Sequence, residues 1–253
     1  MKDNPNPSFK FKFNLEFLKY LKVLVFSSIL FAIISFYNLY RYGYFDLYIA
    51  NKVFASLAFI LLGIVLLLGP AGRLFSFTAP YLVYRKQMGI VAFFLALIHG
   101  FVSLFFLPSK FPLSTFINPL SWPFVFGLTA TLILTFIFLI SNNKAMKLIG
   151  PSRWWRFQYQ GLRLAFFFIF LHAVFRKGKE WLIWYRSDFV EGDVLNYNLP
   201  EIGLLVWWFM LFVILIRIAE YISPNLGRIT FYITSIMIPI IYIVTFCWKL
   251  SFK

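Results

Sequence analysis

Seven apolar stretches, each long enough to cross a membrane, constrain this chain more than any other feature. A helix needs about 20 mostly apolar residues to cross the hydrocarbon core of a bilayer. The runs are separated by Gly and Pro, which favour turns, or by charged residues. They comprise residues 21–39, 49–69, 88–107, 122–141, 157–175, 202–219 and 229–248. We therefore predict an all-α membrane protein, a polytopic bundle of six core transmembrane helices plus a seventh.

The composition argues for the same class and against nucleic-acid binding. Hydrophobic residues make up 61% of the chain and charged residues 13%, whereas soluble domains average about 45–50% and about 25%. The net charge is +15, but the basic residues are spread between the apolar runs rather than gathered on one face. We attribute them to loops near an anionic lipid surface, and we expect no nucleic-acid partner.

The basic residues also predict an orientation, because Lys and Arg concentrate in cytoplasmic loops. With the N-terminus inside, the inner segments hold 15 of the 24 Lys and Arg residues, and six of the nine acidic residues lie outside. Residues 1–20 are predicted to form a basic segment at the cytoplasmic interface, 21–219 the six-helix domain and 220–253 an extra transmembrane helix. A cleaved signal peptide is the alternative for residues 1–36, but no small-residue cleavage site follows the apolar run.

Two histidines, the only ones in the chain, each lie inside an apolar run. Ionisable side chains are costly at membrane depth and are therefore functional candidates. In the predicted topology His99 and His172 lie on parallel helices, both about 20 Å from the inner surface at the rise of an α-helix. Such a pair suits axial ligation of a haem iron. The alternative is that each imidazole only hydrogen-bonds a neighbouring helix.

Small and basic residues near these histidines allow two interpretations each. Ala92, Ala96 and Gly100 follow one another at a spacing of four, which would leave room for a macrocycle or serve ordinary helix packing. Arg176 lies one turn beyond His172 and could pair with a haem propionate or anchor the helix at the interface. Arg163 is deeper, and it could bind an anionic group or extend toward the inner surface.

Four short motifs occur in a fixed order between residues 49 and 176. The second run ends GPAGR at residues 69–73, and the third is approached by RKQMG at 85–89, with His99 ten residues beyond Gly89. The fourth run ends at Ser141 and is followed by LIG at 148–150 and two Trp at 154–155, and His172 comes 17 residues after Trp155. This pattern resembles the ferric reductase-like transmembrane cytochrome b family. The most similar branch is the haem-binding membrane subunit of the bacterial periplasmic methionine sulfoxide reductase system.

The resemblance implies a haem domain over residues 21–219, in a bacterial-type inner membrane or a plasma membrane. It implies that His99 and His172 are the axial ligands of an outer haem b. Many members of the family carry another His, 13 residues before the position of His172, for an inner haem. Tyr159 occupies that position here, and we therefore predict one haem.

These expectations predict an electron-transfer subunit of an oxidoreductase system. Electrons would pass from a separate donor, a quinol or a flavoprotein, to a separate acceptor or reductase on the outer side. Because the iron would lie about 20 Å from the inner face, a flavin or quinone there would bridge the gap. Basic residues predicted at that end could hold it, or could simply be cytoplasmic-loop residues: Arg85, Lys86, Arg153 and Arg156. No dinucleotide-binding motif is present. The alternative function is a haem-free transporter or scaffold subunit.

Overall fold

The chain is helical throughout the part that the structure describes. The computed structural model describes residues 7–112, 114, 121–186 and 195–250, and it contains no strand within them. Eight α-helices occur there: α1 (Pro7–Tyr42), α2 (Leu47–Leu74), α3 (Arg85–Phe105), α4 (Trp122–Ile140), α5 (Asn143–Ile149), α6 (Pro151–Arg186), α7 (Ile202–Ile222) and α8 (Pro224–Cys247). Short 3₁₀ helices cover Ser76–Tyr84 and Trp248–Leu250.

Each of the seven predicted runs falls within a helix, apart from a residue or two at some ends. Among the described residues, six helices are long and apolar enough to cross a membrane, namely α1, α2, α3, α4, α7 and α8. The prediction of an all-α, multi-pass membrane protein is therefore confirmed. The fifth predicted run lies in α6, which is long but less apolar because its first half carries Gln158, Gln160 and Arg163.

Two predicted boundaries differ from the structure. Helix α1 begins at Pro7 and runs unbroken to Tyr42, so most of the expected interfacial segment continues directly into the first span. Helix α6 continues to Arg186, so the first part of the expected non-spanning stretch after residue 175 is helical. Residues 1–6 and 187–194 of these two segments lie outside the described residues. Neither polar extension has a proline inside the helix, since Pro7 occupies the first position of α1, and the single Gly178 of α6 is tolerated within the helix.

Helix α2 lies at the centre of the bundle and packs against α1, α3, α6, α7 and α8. Its side chains Val53, Leu57 and Leu61 are almost fully buried. The outer helices α1, α4 and α8 instead expose large apolar side chains such as Phe36 and Ile236. Apolar surface of this extent is costly in water and is expected where the solvent is lipid.

The bundle has two ends, which we name after an acidic residue at each. The Glu201 end holds the turn at 43–46, the C-terminus of α3 and the start of α7. The Glu220 end holds the Ser76–Tyr84 helix, α5 and the turn at Ser223. Contacts across the bundle show that α3 and α6 both run from the Glu220 end to the Glu201 end. The predicted parallel direction of the two histidine-bearing helices is therefore confirmed.

Local sequence explains where the connecting turns fall. The Asp46 side chain accepts a hydrogen bond from the Ile49 amide (2.8 Å) and starts α2. Asn142 does the same for the Ala145 amide (2.9 Å) at the start of α5. Gly150 adopts a φ of +88°, which side chains with a Cβ rarely tolerate, and so separates α5 from α6. This break sets the position at which α6 enters the bundle.

Candidate functional site

The first predicted site residue, His99 on α3, is oriented by a polar residue of α2. Its Nδ1 lies 3.0 Å from the side-chain oxygen of Asn51 and 3.1 Å from the Asn51 backbone oxygen. The Asn51 amide nitrogen in turn donates to the Ser103 hydroxyl (2.8 Å), one turn beyond His99. Both oxygens facing Nδ1 can only accept hydrogen bonds, so Nδ1 carries the proton. The other ring nitrogen, Nε2, is thereby left with a free lone pair.

The second predicted site residue, His172 on α6, is held in the same way by α4. Its Nδ1 lies 2.6 Å from the backbone oxygen of Pro123, in the first turn of that helix. A carbonyl oxygen again requires the proton on Nδ1 and leaves Nε2 unprotonated. The ring also lies against the backbone at Gly127, where a Cβ would come within 2.9 Å of Nδ1. A glycine is therefore needed at this position for the imidazole to keep its place.

The two histidine-bearing helices, α3 and α6, have the same two neighbouring helices. Helix α3 packs on α2 and helix α6 packs on α4, while α3 and α6 lie diagonally without an extensive contact of their own. Helices α2 and α4 each contact both of the histidine-bearing helices. Both rings are half-buried. The hydrogen bonds among the described residues engage only Nδ1 of each ring. Each histidine therefore keeps one ring nitrogen without a hydrogen-bond partner among the described residues.

This geometry fits the way in which proteins present histidine to a metal. A metal-ligating histidine almost always donates its second ring N–H to a carbonyl or carboxylate, which fixes the tautomer and the ring orientation. Both imidazoles meet that condition through a neighbouring helix. No group of three or more His, Cys, Asp or Glu that could hold a bare metal ion occurs within the described ranges. A haem needs only two axial ligands from the protein, and the residues present therefore fit a haem.

The small residues beside His99 had two interpretations, room for a macrocycle or ordinary helix packing. Ala92 is fully buried and packs in the central apolar cluster, so at this position the small side chain serves helix packing. Gly100 is exposed, and a Cβ there would meet nothing within 4 Å. The close approach beside a histidine instead involves Gly127, which the sequence interpretation did not select. Its only sequence signal is a glycine within an apolar run.

Arg176 lies one turn beyond His172, at the Glu201 end. Its guanidinium is exposed and lies 5.4 Å from the centre of the Phe111 ring. It makes no ion pair with an acidic residue among those that the structure describes. The guanidinium is therefore available to an anionic group near His172.

A second polar cluster lies at the Glu220 end, far along the helices from the histidines. The Tyr159 hydroxyl accepts hydrogen bonds from Arg163 and Arg217, both at 2.5 Å. Glu220 pairs with Arg217 (2.5 Å), with Arg163 (3.6 Å) and with Arg73. The Arg163 guanidinium therefore extends toward the Glu220 end, and it contacts an anionic group of the chain itself there, Glu220.

The four basic residues that could hold an anionic cofactor, or could simply belong to cytoplasmic loops, are mostly exposed. Lys86, Arg153 and Arg156 are exposed. Only Arg85 lies near the second cluster, close enough for its charge to interact with Arg73 and Tyr159. The cationic residues that do gather lie on three different helices, α2, α6 and α7, and no local spacing in the sequence relates them.

The comparisons with known proteins leave the chain without an assigned relative. No protein-family model matches the sequence, and no curated protein matches it significantly.

Proposed function

We propose that this chain is a membrane-embedded b-type haem protein in which His99 and His172 hold one haem. The observation that carries the proposal is the shared orientation of the two rings. Each Nδ1 donates to a helix oxygen, and each Nε2 keeps a lone pair for a metal. The resemblance to the ferric reductase-like cytochrome b family supports the same assignment. Arg176 is proposed to pair with a propionate at the Glu201 end.

The chain's own residues would fix the ring positions before the cofactor binds. Asn51 and Ser103 orient His99, while Pro123 and Gly127 orient His172. A haem bound there would supply one-electron uptake and release. Polar partners and apolar packing around the ligands would tune its potential, as they do in haem proteins generally.

The proposal includes one haem rather than two. The position at which family members carry an inner ligand is Tyr159, and its hydroxyl already accepts from two guanidinium groups. The positive charge of Arg163 and Arg217 disfavours a second ferric haem at this point.

We further propose that the Glu220 end faces the cytoplasm and the Glu201 end faces outward. The distribution of Lys and Arg along the sequence supports this orientation. Electrons would then pass from a separate quinol or flavoprotein to a separate acceptor or reductase on the outer side. A quinol or flavin bound within the inner half would shorten the distance to the haem.

Electron transfer through the chain can be tested with the purified protein in lipid nanodiscs. A short-chain quinol is added without oxygen, and the haem absorbance is followed before and after a ferric chelate is supplied. We expect reduction by the quinol and reoxidation by the chelate. Nanodiscs containing His172→Ala serve as the control and should show neither change. A haem that is present but not reduced by quinol would exclude a quinol as the direct donor and leave the flavoprotein.

A further inference from the structure

The cluster at the Glu220 end contains more positive charge than its own residues neutralise. We define the Glu220 cluster as Arg73, Tyr159, Arg163, Arg217 and Glu220. Three guanidinium groups surround a single carboxylate. Among the described residues, the other acceptor to which these guanidinium groups donate is the Tyr159 hydroxyl, which is a neutral group. Like charges held this close repel one another unless an anion is added.

Two of the three guanidinium groups are also poorly hydrated, whereas the Arg73 side chain is 61% exposed. Arg217 is only 7% exposed, and the side chain of Arg163 is 17% exposed. The Nε groups of both residues are buried and have no hydrogen-bond partner among the described residues. The Nε of Arg85 is likewise buried and has no hydrogen-bond partner among the described residues. Buried donors normally find an acceptor, and donors that carry charge are the most costly to leave unpaired. One carboxylate oxygen of Glu220 is also buried without a hydrogen-bond partner. A single oxygen cannot serve all three Nε donors, and this imbalance favours a further acceptor of opposite charge.

A cavity open to the outside touches two members of this cluster, Arg73 and Glu220. This cavity of about 100 Å³ lies between α2, α7 and α8. Arg228 contributes a further exposed guanidinium, and the rest of the wall includes Pro70, Leu74 and Ile216. The cavity thus combines cationic groups with an apolar wall beside a membrane-facing helix.

We propose that the Glu220 cluster binds a phosphate-bearing anion through this cavity. Guanidinium groups form paired, charge-assisted hydrogen bonds to phosphate oxygens, and several of them together favour phosphate over a single carboxylate. The phosphate belongs either to the headgroup of an acidic phospholipid or to a soluble phosphate compound. Glu220 acts as an internal anion that partly neutralises the arginines when the site is empty. This inference does not depend on haem binding at the other end.

The test uses full-length protein in detergent after removal of bound lipid. Native mass spectrometry measures retention of phosphatidylglycerol against phosphatidylcholine, which carries no net charge. A separate titration with inorganic phosphate follows the thermal unfolding temperature. Preferential retention of phosphatidylglycerol alone identifies a lipid source, whereas stabilisation by inorganic phosphate identifies a soluble source. Both results support the proposal, and equal retention of the two lipids together with no effect of phosphate overturns it.

Variants connect the binding to these residues. Arg217→Gln should weaken binding of the preferred anion about tenfold, the usual scale for one charge-assisted contact. Arg156→Gln is the matched control, because it removes an exposed arginine at the same end of the bundle, and it should leave binding unchanged. Equal loss in both variants would show that the net charge of this end, rather than the cluster, attracts the anion, and would overturn the proposal.

Glu220→Gln provides a test that does not rely on loss of function. If Glu220 only stabilises the fold, its replacement lowers the stability of the folded protein and does not strengthen anion binding. If it occupies the place of an anion, its replacement should tighten binding about tenfold. Weaker binding in a folded Glu220→Gln protein would overturn the proposal. The haem content of the same samples is an independent readout, which we expect Arg217→Gln to leave unchanged.

Discussion

At the scale of single residues, the position of His172 depends on the absence of a side chain. The ring lies so close to α4 that a Cβ on Gly127 would come within 2.9 Å of its Nδ1. The same nitrogen donates to the Pro123 oxygen at 2.6 Å, so the imidazole cannot move aside without losing that bond. Sequence alone indicated the histidine but not this glycine, because the contact joins residues that are 45 positions apart.

Gly127→Ala should therefore displace the His172 ring and reduce haem retention. Loss of an orienting contact at a metal ligand typically costs about 10-fold to 100-fold in affinity. The haem-to-protein ratio and the reduced-minus-oxidised spectrum of the purified variant measure the effect. Gly203→Ala is the control, because a Cβ there would make only ordinary contact with the Trp181 ring (3.5 Å). Full haem retention in Gly127→Ala would contradict the proposed placement of His172.

At the scale of helices, a charged contact joins three elements at the Glu201 end. Glu201, just before α7, pairs with Lys52 of α2 (2.9 Å) and lies 3.9 Å from Lys177 of α6. The Trp181 indole also donates to this carboxylate (3.3 Å). Burial alone would raise the pKa of the Glu201 carboxyl, but the two ammonium groups outweigh it and lower the pKa to about 2. The ionised carboxylate therefore stabilises the packing of these helices.

Because its pKa is lower in the folded protein, Glu201 should contribute stability that is present above pH 4.5, its ordinary pKa, and lost toward about pH 2. Glu201→Gln should remove this acid dependence. At neutral pH it should cost about 3 kcal/mol, because Lys52 is left mostly buried without an anionic partner. Thermal unfolding in detergent across this pH range measures both effects.

Glu180→Gln is the control for that experiment. Glu180 pairs with Lys177 on the surface and its side chain is exposed, so its loss should cost less than about 1 kcal/mol. A wild-type and a Glu201→Gln protein with the same unfolding temperature at neutral pH would contradict the role assigned to this contact.

The helices themselves were the most predictable level of the structure. The length of each apolar run indicated a helix, since backbone groups in lipid must be paired within the segment. The exact limits of α1 and α6 were not predictable from hydropathy, because their polar ends remain helical outside the apolar run. The Glu220 cluster was also missed. Arg73, Arg163 and Arg217 meet only through the packing of α2, α6 and α7, which no local pattern encodes.

At the scale of the whole molecule, the number of membrane crossings depends on α6. It is less apolar than the six helices that are suited to spanning, yet it packs along α4 over the length of the bundle. Its 36 residues extend about 54 Å, which exceeds the hydrocarbon thickness of about 30 Å. Some polar side chains in its first half have partners within the bundle: Arg163 donates to Tyr159, and Gln158 donates to the Ile137 carbonyl oxygen, whereas Gln160 is exposed. This internal pairing explains how a less apolar helix is accommodated.

Single cysteines at the two ends of α6 test both the crossing and the orientation. In a Cys247→Ser background, Ser152→Cys and Lys179→Cys place a thiol at an exposed position on the Glu220 and Glu201 sides. In intact cells, a membrane-impermeant maleimide should label Lys179→Cys directly and Ser152→Cys only after permeabilisation. Labelling of both from the same side would show that α6 does not cross, and the opposite pattern would reverse the orientation.

The most direct test of the central claim is the haem content of the purified wild-type chain beside His99→Ala and His172→Ala. Expression is supplemented with a haem precursor, and the absorption spectrum is recorded oxidised and after dithionite. We expect a b-type spectrum near one haem per chain, lost in either variant while membrane insertion is retained. A wild-type protein without haem, or a variant that retains it fully, would contradict axial ligation by the two histidines. Absence of haem would favour the transporter or scaffold alternative.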